Sequence, residues 1–108
     1  MDAKEVIEQL YFCEAACNYC HSGCQTEKDR DQLKKCMMMD EDCAGICRLT
    51  AISLERGSEN AHMFMKLCAQ ICEMCAEECN RHSHHEHCKE CAEACLKCAE
   101  ACLSFQSV

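Results

Sequence analysis

The sequence predicts an all-α fold, an antiparallel up-down-up-down four-helix bundle whose core is lined with cysteine. Sixteen of the 108 residues are cysteine, and most of them recur at alternating steps of three and four residues. Such steps average about 3.5 residues, the period of a helix face that packs against other helices, whereas a strand repeats every two residues. The chain also has no proline and only three glycines. Folds that depend on many turns, such as sandwiches, propellers and disulfide-knotted loops, are therefore disfavoured.

The first two helices are predicted over residues 3–23 and 28–56. In the first helix the alternating steps continue upstream of the cysteines, which gives an inward face of Val6, Leu10, Cys13, Cys17, Cys20 and Cys24. The second helix has a poorer inward face of Leu33, Cys36, Asp40, Cys43 and Cys47. Asp40 occupies a position at which the rhythm would place a cysteine. Gly23 and Gly57 are expected just beyond helix ends, where glycine is preferred.

The last two helices are predicted over residues 59–81 and 84–105. The inward face of the third helix consists of Ala61, Met65, Cys68, Cys72, Cys75 and Cys79. That of the fourth consists of His84, Cys88, Cys91, Cys95, Cys98, Cys102 and Phe105. Connections of only a few residues make consecutive helices antiparallel neighbours. Because the length also fits one domain, residues 1–108 are interpreted as a single metal-binding four-helix-bundle domain.

The alternating helix directions divide the predicted core into two ends. The apolar end collects Val6, Leu10, Leu54, Ala61, Met65 and Phe105. The other end, here called the mouth, collects Cys24, Leu33, Cys36, Cys79, His84 and Cys88. Four more histidines are expected near the mouth: His21, His82, His85 and His87. We therefore expect a column of thiols that is closed by hydrocarbon at one end and bordered by imidazole at the other.

Charge and the first residues of the chain limit its partners and location. The net charge of −8 argues against a nucleic-acid partner. No apolar run approaches the roughly 18 residues of a membrane span, so no membrane partner is expected. The first residues include acids and lack the apolar stretch of a signal peptide. The chain is therefore expected in the cytoplasm, where thiols stay reduced and dense cysteine indicates metal binding or catalysis rather than disulfides.

A core of sixteen thiols favours a soft, monovalent metal over the other ions that cysteine binds. Thiolates select Cu(I), zinc and iron–sulfur clusters. The C-x-x-C pairs of this chain lie within continuous helical runs, unlike zinc knuckles or the proline-containing motifs of ferredoxins. If each Cu(I) binds two thiolates and each thiolate bridges two ions, the core holds about sixteen Cu(I). Each Cu(I) replaces one proton and keeps the core near neutral, whereas Zn²⁺ at that ratio would leave a large buried charge.

On these residues the chain resembles the cytosolic copper storage proteins of bacteria. The resemblance rests on three C-x₃-C-x₂-C-x₃-C runs (Cys13–Cys24, Cys68–Cys79 and Cys91–Cys102), on the pair Cys43-x₃-Cys47 and on the His-rich stretch His82–His87. It implies a homotetramer of bundles, copper entry at the mouth and storage rather than catalysis. The chain is accordingly not expected to be an enzyme. A cytosolic copper chaperone or a small-thiol copper donor is the expected source of Cu(I).

The predicted ligands are the cysteines and three residues of other types. The thiol ligands are Cys13, Cys17, Cys20, Cys24, Cys36, Cys43, Cys47, Cys68, Cys72, Cys75, Cys79, Cys88, Cys91, Cys95, Cys98 and Cys102. The other candidates are Asp40, His84 on the predicted inward face, and His87 beside Cys88. His82 and His85 are interpreted as a solvated rim that captures copper transiently, or as a polar turn, and His21 and His62 are interpreted as surface residues. The thioethers of Met37–Met39 could bind Cu(I), but packing or an oligomer contact is the favoured interpretation.

Two other functions remain open from the residues alone. A zinc or thiol buffer would saturate near four Zn²⁺, because a zinc site takes about four ligands. An iron–sulfur or redox protein would use a few exposed thiols of low pKa. A second apolar set beside the cysteine faces indicates contact with another bundle; it comprises Ile7, Tyr11, Leu67, Ile71, Met74, Leu96 and Leu103.

Overall fold

A computed structural model describes residues 1–106 of the chain and confirms the all-α prediction. The described residues contain no strand. They form the α-helices α1 (Ala3–Gln25), α2 (Lys34–Glu55), α3 (Ala61–Asn80) and α4 (Glu86–Gln106), with a short 3₁₀ helix, Arg30–Leu33, before α2.

The four helices form one elongated bundle with antiparallel neighbours. Both α1 and α3 pack against α2 and α4, and the bundle measures 43 × 19 × 17 Å. The end of α1 meets the start of α4, where Cys20 Sγ lies 3.7 Å from Cys88 Sγ. The start of α2 meets the end of α3, where Cys36 Sγ lies 3.5 Å from Cys79 Sγ. The up-down-up-down topology that the short connections predict is therefore present.

Two helix ends follow local capping chemistry, whereas two predictions about helix ends are wrong. α2 begins at Lys34, six residues after its predicted start at residue 28, because Arg30–Leu33 form a 3₁₀ helix. Asp2 caps α1 by accepting a 2.9 Å hydrogen bond from the backbone N–H of Glu5. Gly57 follows α2 with φ 67°, the left-handed conformation expected beyond a helix end. Gly23 does not end a helix, because α1 continues to Gln25. Its role is steric, since a Cβ at Gly23 would lie 2.6 Å from the His87 ring.

The position predicted for His84 on the inward face of the fourth helix is also wrong. α4 begins at Glu86, and residues 81–85 form turns that are closed by backbone bonds such as His85 N to His82 O at 3.0 Å. The helical rhythm therefore does not extend upstream to His84. Its side chain is 61% exposed and contacts Asp29 instead of the core.

The apolar end closes the bundle largely as predicted. Val6, Leu10 and Met65 are fully buried, and Leu54 and Phe105 pack against the core from partly exposed positions. Two buried hydroxyls that the sequence did not indicate lie nearby on α2. Thr50 and Ser53 donate to backbone carbonyl oxygens of the same helix, at 2.6 and 2.8 Å, which satisfies these groups without disturbing the packing. None of the helices within residues 1–106 has the length and apolar character needed to cross a membrane.

Candidate metal centre

The interior of the bundle is a column of sixteen unpaired cysteine side chains, here called the thiol core. Every one of these cysteines is free, and every one has 0% exposure to solvent. The inward steps of three and four residues on all four helices bring these side chains together. The closest Sγ atoms of neighbouring cysteines lie between 3.5 and 4.0 Å apart. When two sulfur ligands each lie about 2.3 Å from one tetrahedral metal ion, the two sulfur atoms are roughly 3.8 Å apart. The thiols are therefore already spaced to share metal ions.

The middle of the thiol core joins sulfurs into overlapping groups, each drawn from three helices. Cys43 Sγ, on α2, lies 3.6 Å from Cys72 Sγ on α3 and 3.7 Å from Cys95 Sγ on α4. Cys13 Sγ, on α1, lies 3.8 Å from the same Cys95 sulfur. Groups of four ligand atoms within 4.8 Å of one another include Cys13, Cys43, Cys47 and Cys72; Cys13, Cys17, Cys43 and Cys95; Cys17, Cys75, Cys91 and Cys95; and Cys47, Cys68, Cys72 and Cys98. Because single cysteines belong to several groups, their thiolates can bridge neighbouring ions.

The mouth adds one imidazole to the thiols. His87 Nδ1 lies 3.5 Å from Cys88 Sγ and 3.9 Å from Cys24 Sγ. With Cys20, these residues form a group of four possible ligands. The other ring nitrogen, Nε2, lies 2.8 Å from Glu27 Oε2. A carboxylate on the far side of a ligating imidazole fixes its tautomer and orientation, so Nδ1 is directed toward the sulfurs.

Asp40 takes its predicted place among the cysteines. Its carboxyl group is fully buried, and Oδ1 accepts from the thiols of Cys91, Cys75 and Cys79 at 3.3, 3.6 and 3.7 Å. Oδ2 is buried with no hydrogen-bond partner among the described residues, so this oxygen is free for a cation once the carboxyl group loses its proton. Burial, together with the nearby Cys91 and Cys75, raises the pKa of Asp40 to about 10. Asp40 is therefore protonated at neutral pH and has a proton that an entering cation can replace.

Burial and mutual hydrogen bonding keep the thiol core from ionising as a whole. Burial, and next the nearby Cys36, raise the pKa of Cys24 to about 12. Hydrogen bonds with Cys13, Cys17 and Cys43 raise the pKa of Cys95 far above its usual range. The pKa of Cys13 is lowered, because a thiolate there would accept hydrogen bonds from Cys17 and Cys43. The network thus lets single thiols ionise beside protonated neighbours, whereas sixteen thiolates at once would repel one another.

The remaining predicted residues lie around the core rather than in it. His82 pairs with Glu78 at 3.1 Å, and His85 pairs with Asp29 at 2.9 Å, so both lie beside the mouth. Their side chains are only 16% and 15% exposed, so they are less solvated than predicted. His21 forms a 3.1 Å pair with Glu41 on the surface between α1 and α2. The side chains of Met37 and Met39 pack against the core, in line with the packing interpretation, whereas Met38 is 64% exposed and does not.

Two residues that shape the mouth were missed by the sequence analysis. Glu27 orients His87, and Gly23 leaves the space in which the His87 ring lies. Glu27 belongs to a charged connection with no periodicity, so nothing in the sequence distinguished it from other surface acids. Gly23 did stand out as one of three glycines, but its position near a helix end favoured the capping interpretation.

The chain is similar to known copper-binding proteins over nearly its whole length. A family model for copper storage proteins matches residues 1–107. The uncharacterized cysteine-rich protein YhjQ of Bacillus subtilis (strain 168) is 41% identical over 90 residues, which cover 83% of this chain and 82% of the relative.

Two solved structures share both the fold and more than a third of the sequence. The structure of Cu(I)-bound copper storage protein BsCsp3 matches with a TM-score of 0.90 and 39% identity, over 94% of this chain and 95% of that chain. A cytosolic copper storage protein from Streptomyces lividans, in a structure of copper loading with five coppers, matches with a TM-score of 0.94 and 36% identity. That match covers 98% of this chain and 92% of the other.

Proposed function

This chain belongs to the copper storage protein family, and we propose that it stores Cu(I) on the thiolates of its bundle core. The observation that carries the proposal is the thiol core itself, sixteen free and fully buried cysteines with neighbouring sulfurs 3.5 to 4.0 Å apart. Soft thiolates select Cu(I), and close spacing lets one thiolate bridge two ions. The Cu(I)-bound BsCsp3 and the copper-loaded Streptomyces lividans protein support this function.

The proposed capacity is about one Cu(I) per cysteine, or about sixteen per chain. Charge balance supports a monovalent ion, because each Cu(I) that enters displaces one proton from a neutral thiol. The buried core then stays near neutral when it is filled. Divalent ions at the same ratio would leave about one uncompensated charge per site, which a low-dielectric interior does not tolerate.

The proposed ligand set comprises the sixteen cysteines, Asp40 and His87. Asp40 is supported by its three thiol contacts and its unpartnered buried oxygen. His87 is supported by its position beside Cys24 and Cys88 at the mouth. The sequence analysis also named His84 as a Cu(I) ligand, but its exposed position outside the thiol core gives that assignment no support.

We propose that the chain stores copper and does not catalyse a reaction. The buried thiol core offers no exposed, low-pKa nucleophile to a substrate, which supports storage over a redox or iron–sulfur function. The description of the Streptomyces lividans relative as cytosolic supports a cytoplasmic location. In that compartment a copper chaperone or a small-thiol complex would deliver Cu(I) to the mouth, with transfer by exchange between neighbouring thiolates. Residues 1–108 would act as one storage domain.

A homotetramer is proposed on the basis of two apolar surfaces. Leu67 and Met74 on α3, and Leu96 and Leu103 on α4, are each about half exposed. Each pair is seven residues apart on helices that pack together, so we take the four as one stripe. Phe12 and Tyr19 on α1 are more than half exposed and border a groove between α1 and α4. Two separate apolar surfaces are what a tetramer with two kinds of interface requires.

Native mass spectrometry of anaerobically loaded protein tests the storage function. We expect chains that carry about sixteen Cu(I) after loading with excess Cu(I) and removal of the unbound metal. Matched loading with Zn²⁺ is the control, and a zinc buffer would saturate near four Zn²⁺. A chain that retains no more than about four Cu(I) would contradict the proposal.

A further inference from the structure

The apolar end of the bundle contains a buried sulfur atom that is not a thiol. Met65, on α3, has 0% exposure to solvent. Of the seven methionines, which all lie within residues 1–106, it is the only one that is fully buried. It precedes Cys68 by three residues, a step that also separates Cys72 from Cys75 on the inward face of α3. Met65 therefore continues the row of core sulfurs one step beyond the last thiol of α3.

The contacts between thiols show which residues share a level with Met65 along the bundle. Cys47 Sγ, on α2, lies 3.8 Å from Cys68 Sγ on α3 and 3.8 Å from Cys98 Sγ on α4, so these three residues share one level. Because α3 and α4 are antiparallel, the next inward positions toward the apolar end are Met65 and Cys102. Steps of three and four residues advance about 4.5 and 6.0 Å along a helix. Met65 and Cys102 therefore lie at nearly the same height.

A buried hydroxyl on α2 marks the same level independently. The hydroxyl of Thr50 donates to its own helix at 2.6 Å and also lies 3.4 Å from the carbonyl oxygen of Phe64, the residue before Met65. Thr50 follows Cys47 by three residues, and its side chain is fully buried, as is that of Cys102. The level beyond Cys47 thus collects one thiol, one thioether and one hydroxyl from three helices.

A thioether at this level suits Cu(I) in both softness and charge. Cys102 is the last cysteine of α4, so an ion beside it has fewer thiolates within reach than an ion in the middle of the thiol core. Hydrogen bonding to Cys68, and next to Cys98, raises the pKa of Cys102 above its usual range, which ties this thiol to the rest of the core. Thioether sulfur is a soft ligand for Cu(I) and carries no charge. It therefore adds a donor without adding charge to the dry end of the bundle, where unbalanced charge is costly.

We propose that the thioether of Met65 is a Cu(I) ligand at the apolar end of the core, where it shares an ion with the thiolates of Cys68 and Cys102. This inference rests on the proposed storage function and adds one neutral sulfur to the ligand set. The row of copper sites then ends on a thioether, as it begins at the mouth on the imidazole of His87. Met65 has a second role in packing, because its side chain belongs to the buried apolar cluster.

Replacement of Met65 by leucine and by cysteine separates ligation from packing. Leucine keeps the apolar volume and removes the sulfur, whereas cysteine is smaller and keeps a soft donor. Each protein is saturated anaerobically with Cu(I) and then challenged with increasing amounts of a chromophoric Cu(I) chelator. Residues that only orient a ligand change metal affinity about 10- to 100-fold, so Met65→Leu should release one Cu(I) at a chelator strength lower by at least about tenfold. Met65→Cys should retain that ion.

Met63→Leu is the matched control for these variants. Met63 lies on the same helix, but its side chain is 67% exposed, so its replacement should leave copper retention unchanged. Full retention by Met65→Leu, together with loss from Met65→Cys, would show that Met65 only packs and would overturn the proposal. Far-UV circular dichroism checks that each variant remains helical.

NMR of methyl-labelled methionine in the natural chain tests the site without any variant that must fold. The Met65 methyl signal should shift as the core fills with Cu(I), whereas that of the exposed Met63 should stay in place. An unshifted Met65 signal in the fully loaded protein would overturn the proposal. If the natural protein does not load Cu(I), the storage function and this inference fail together. Normal loading, with full retention by Met65→Leu, would instead overturn the role of Met65 alone.

Discussion

At the residue scale, the packing of the His87 ring on Gly23 shows how one missing side chain shapes the mouth. A Cβ at Gly23 would lie 2.6 Å from Cδ2 and 2.8 Å from Cγ of the His87 ring. Such contacts are well inside van der Waals distance, so the ring would have to move. Because the ring also contacts Cys24, Cys88 and Glu27, moving it would disturb a proposed ligand.

Replacing Gly23 by alanine should therefore displace His87, whereas the same change at Gly45 should not. Both glycines lie inside helices, so alanine adds up to about 1 kcal/mol of helix propensity at either position. A Cβ at Gly45 meets nothing within 4 Å, so Gly45→Ala should stabilise the apoprotein by close to that amount. Gly23→Ala should stabilise less and should shift the NMR signals of the His87 ring. Equal stabilisation by both variants in chemical denaturation, with the His87 signals unchanged, would contradict this steric role.

The raised pKa of Asp40 predicts how the stability of the apoprotein depends on pH. With a pKa of about 10 in the folded state, Asp40 keeps its proton at pH values where it is ionised in the unfolded chain. The folded state therefore binds more protons, and its stability falls as pH rises from about 4 toward 10, by up to about 1.4 kcal/mol per pH unit.

Asp40→Asn removes this contribution, because asparagine does not ionise in either state. The variant should gain stability relative to the natural protein between pH 5 and pH 8, by an amount on the order of a few kcal/mol. Chemical denaturation of the reduced apoproteins at both pH values measures the difference. Parallel pH profiles for the two proteins would show that the Asp40 carboxyl group is not held protonated.

Residue-scale prediction from the sequence was reliable where periodicity applied and failed where the helix stopped. The steps of three and four residues correctly placed Asp40 among the cysteines, because a helix enforces the same rhythm on every inward position. His84 was misplaced because the turn before Glu86 breaks that rhythm. Contacts such as Glu27 with His87 join connections that are distant in sequence, so no local pattern could indicate them.

At the scale of elements, the four helices were predictable and their first and last turns were not. Repeated inward cysteines and short connections determined the number, order and direction of the helices, because only antiparallel neighbours bury every inward face. The helix before the first connection is two residues longer than predicted, and a short 3₁₀ helix, Arg30–Leu33, precedes α2. These details depend on how the connections pack against one another around the mouth.

The ends of the helices at the mouth should control the rate of loading more than its extent. The first variant replaces four mouth cysteines by serine: Cys24, Cys36, Cys79 and Cys88. The matched control replaces four cysteines in the half of the core toward the apolar end: Cys47, Cys68, Cys98 and Cys102. Both variants should lose a similar share of capacity. Only the first should load much more slowly if, as proposed, Cu(I) is delivered to the mouth. Stopped-flow transfer from a chromophoric Cu(I) complex measures the rate, and equal slowing in both variants would contradict entry at the mouth.

The apolar stripe on α3 and α4 should hold the proposed tetramer together. Glutamate at Leu67 and Leu96 places charge in the stripe, so this double variant should dissociate, since buried unpaired charge is costly at an interface. Leu49→Glu on α2 is the control, because Leu49 is also partly exposed, at 39%, but lies on a different helix from the stripe. Light scattering after size-exclusion chromatography gives the masses. A monomeric natural protein, or an intact assembly in the double variant, would contradict the proposed interface.

For the whole molecule, the central claim is that the storage core exists before metal arrives. We expect the apolar end and the inward faces to hold the bundle together before metal binds, because Val6, Leu10, Leu33 and Met65 are fully buried together with the cysteines. Helices held in this way would keep the thiols at bridging distance in the apoprotein. This differs from small zinc domains, which fold only when the metal binds.

The most direct test of this claim is an anaerobic titration of the reduced apoprotein with Cu(I). At each addition, far-UV circular dichroism measures helicity and a chromophoric competitor reports how much Cu(I) the protein has bound. The account predicts full helicity before the first addition, little change in helicity during loading, and saturation near one Cu(I) per cysteine. An apoprotein that gains its helicity only as copper is added, or a plateau at about four ions or fewer, would contradict a preformed storage core.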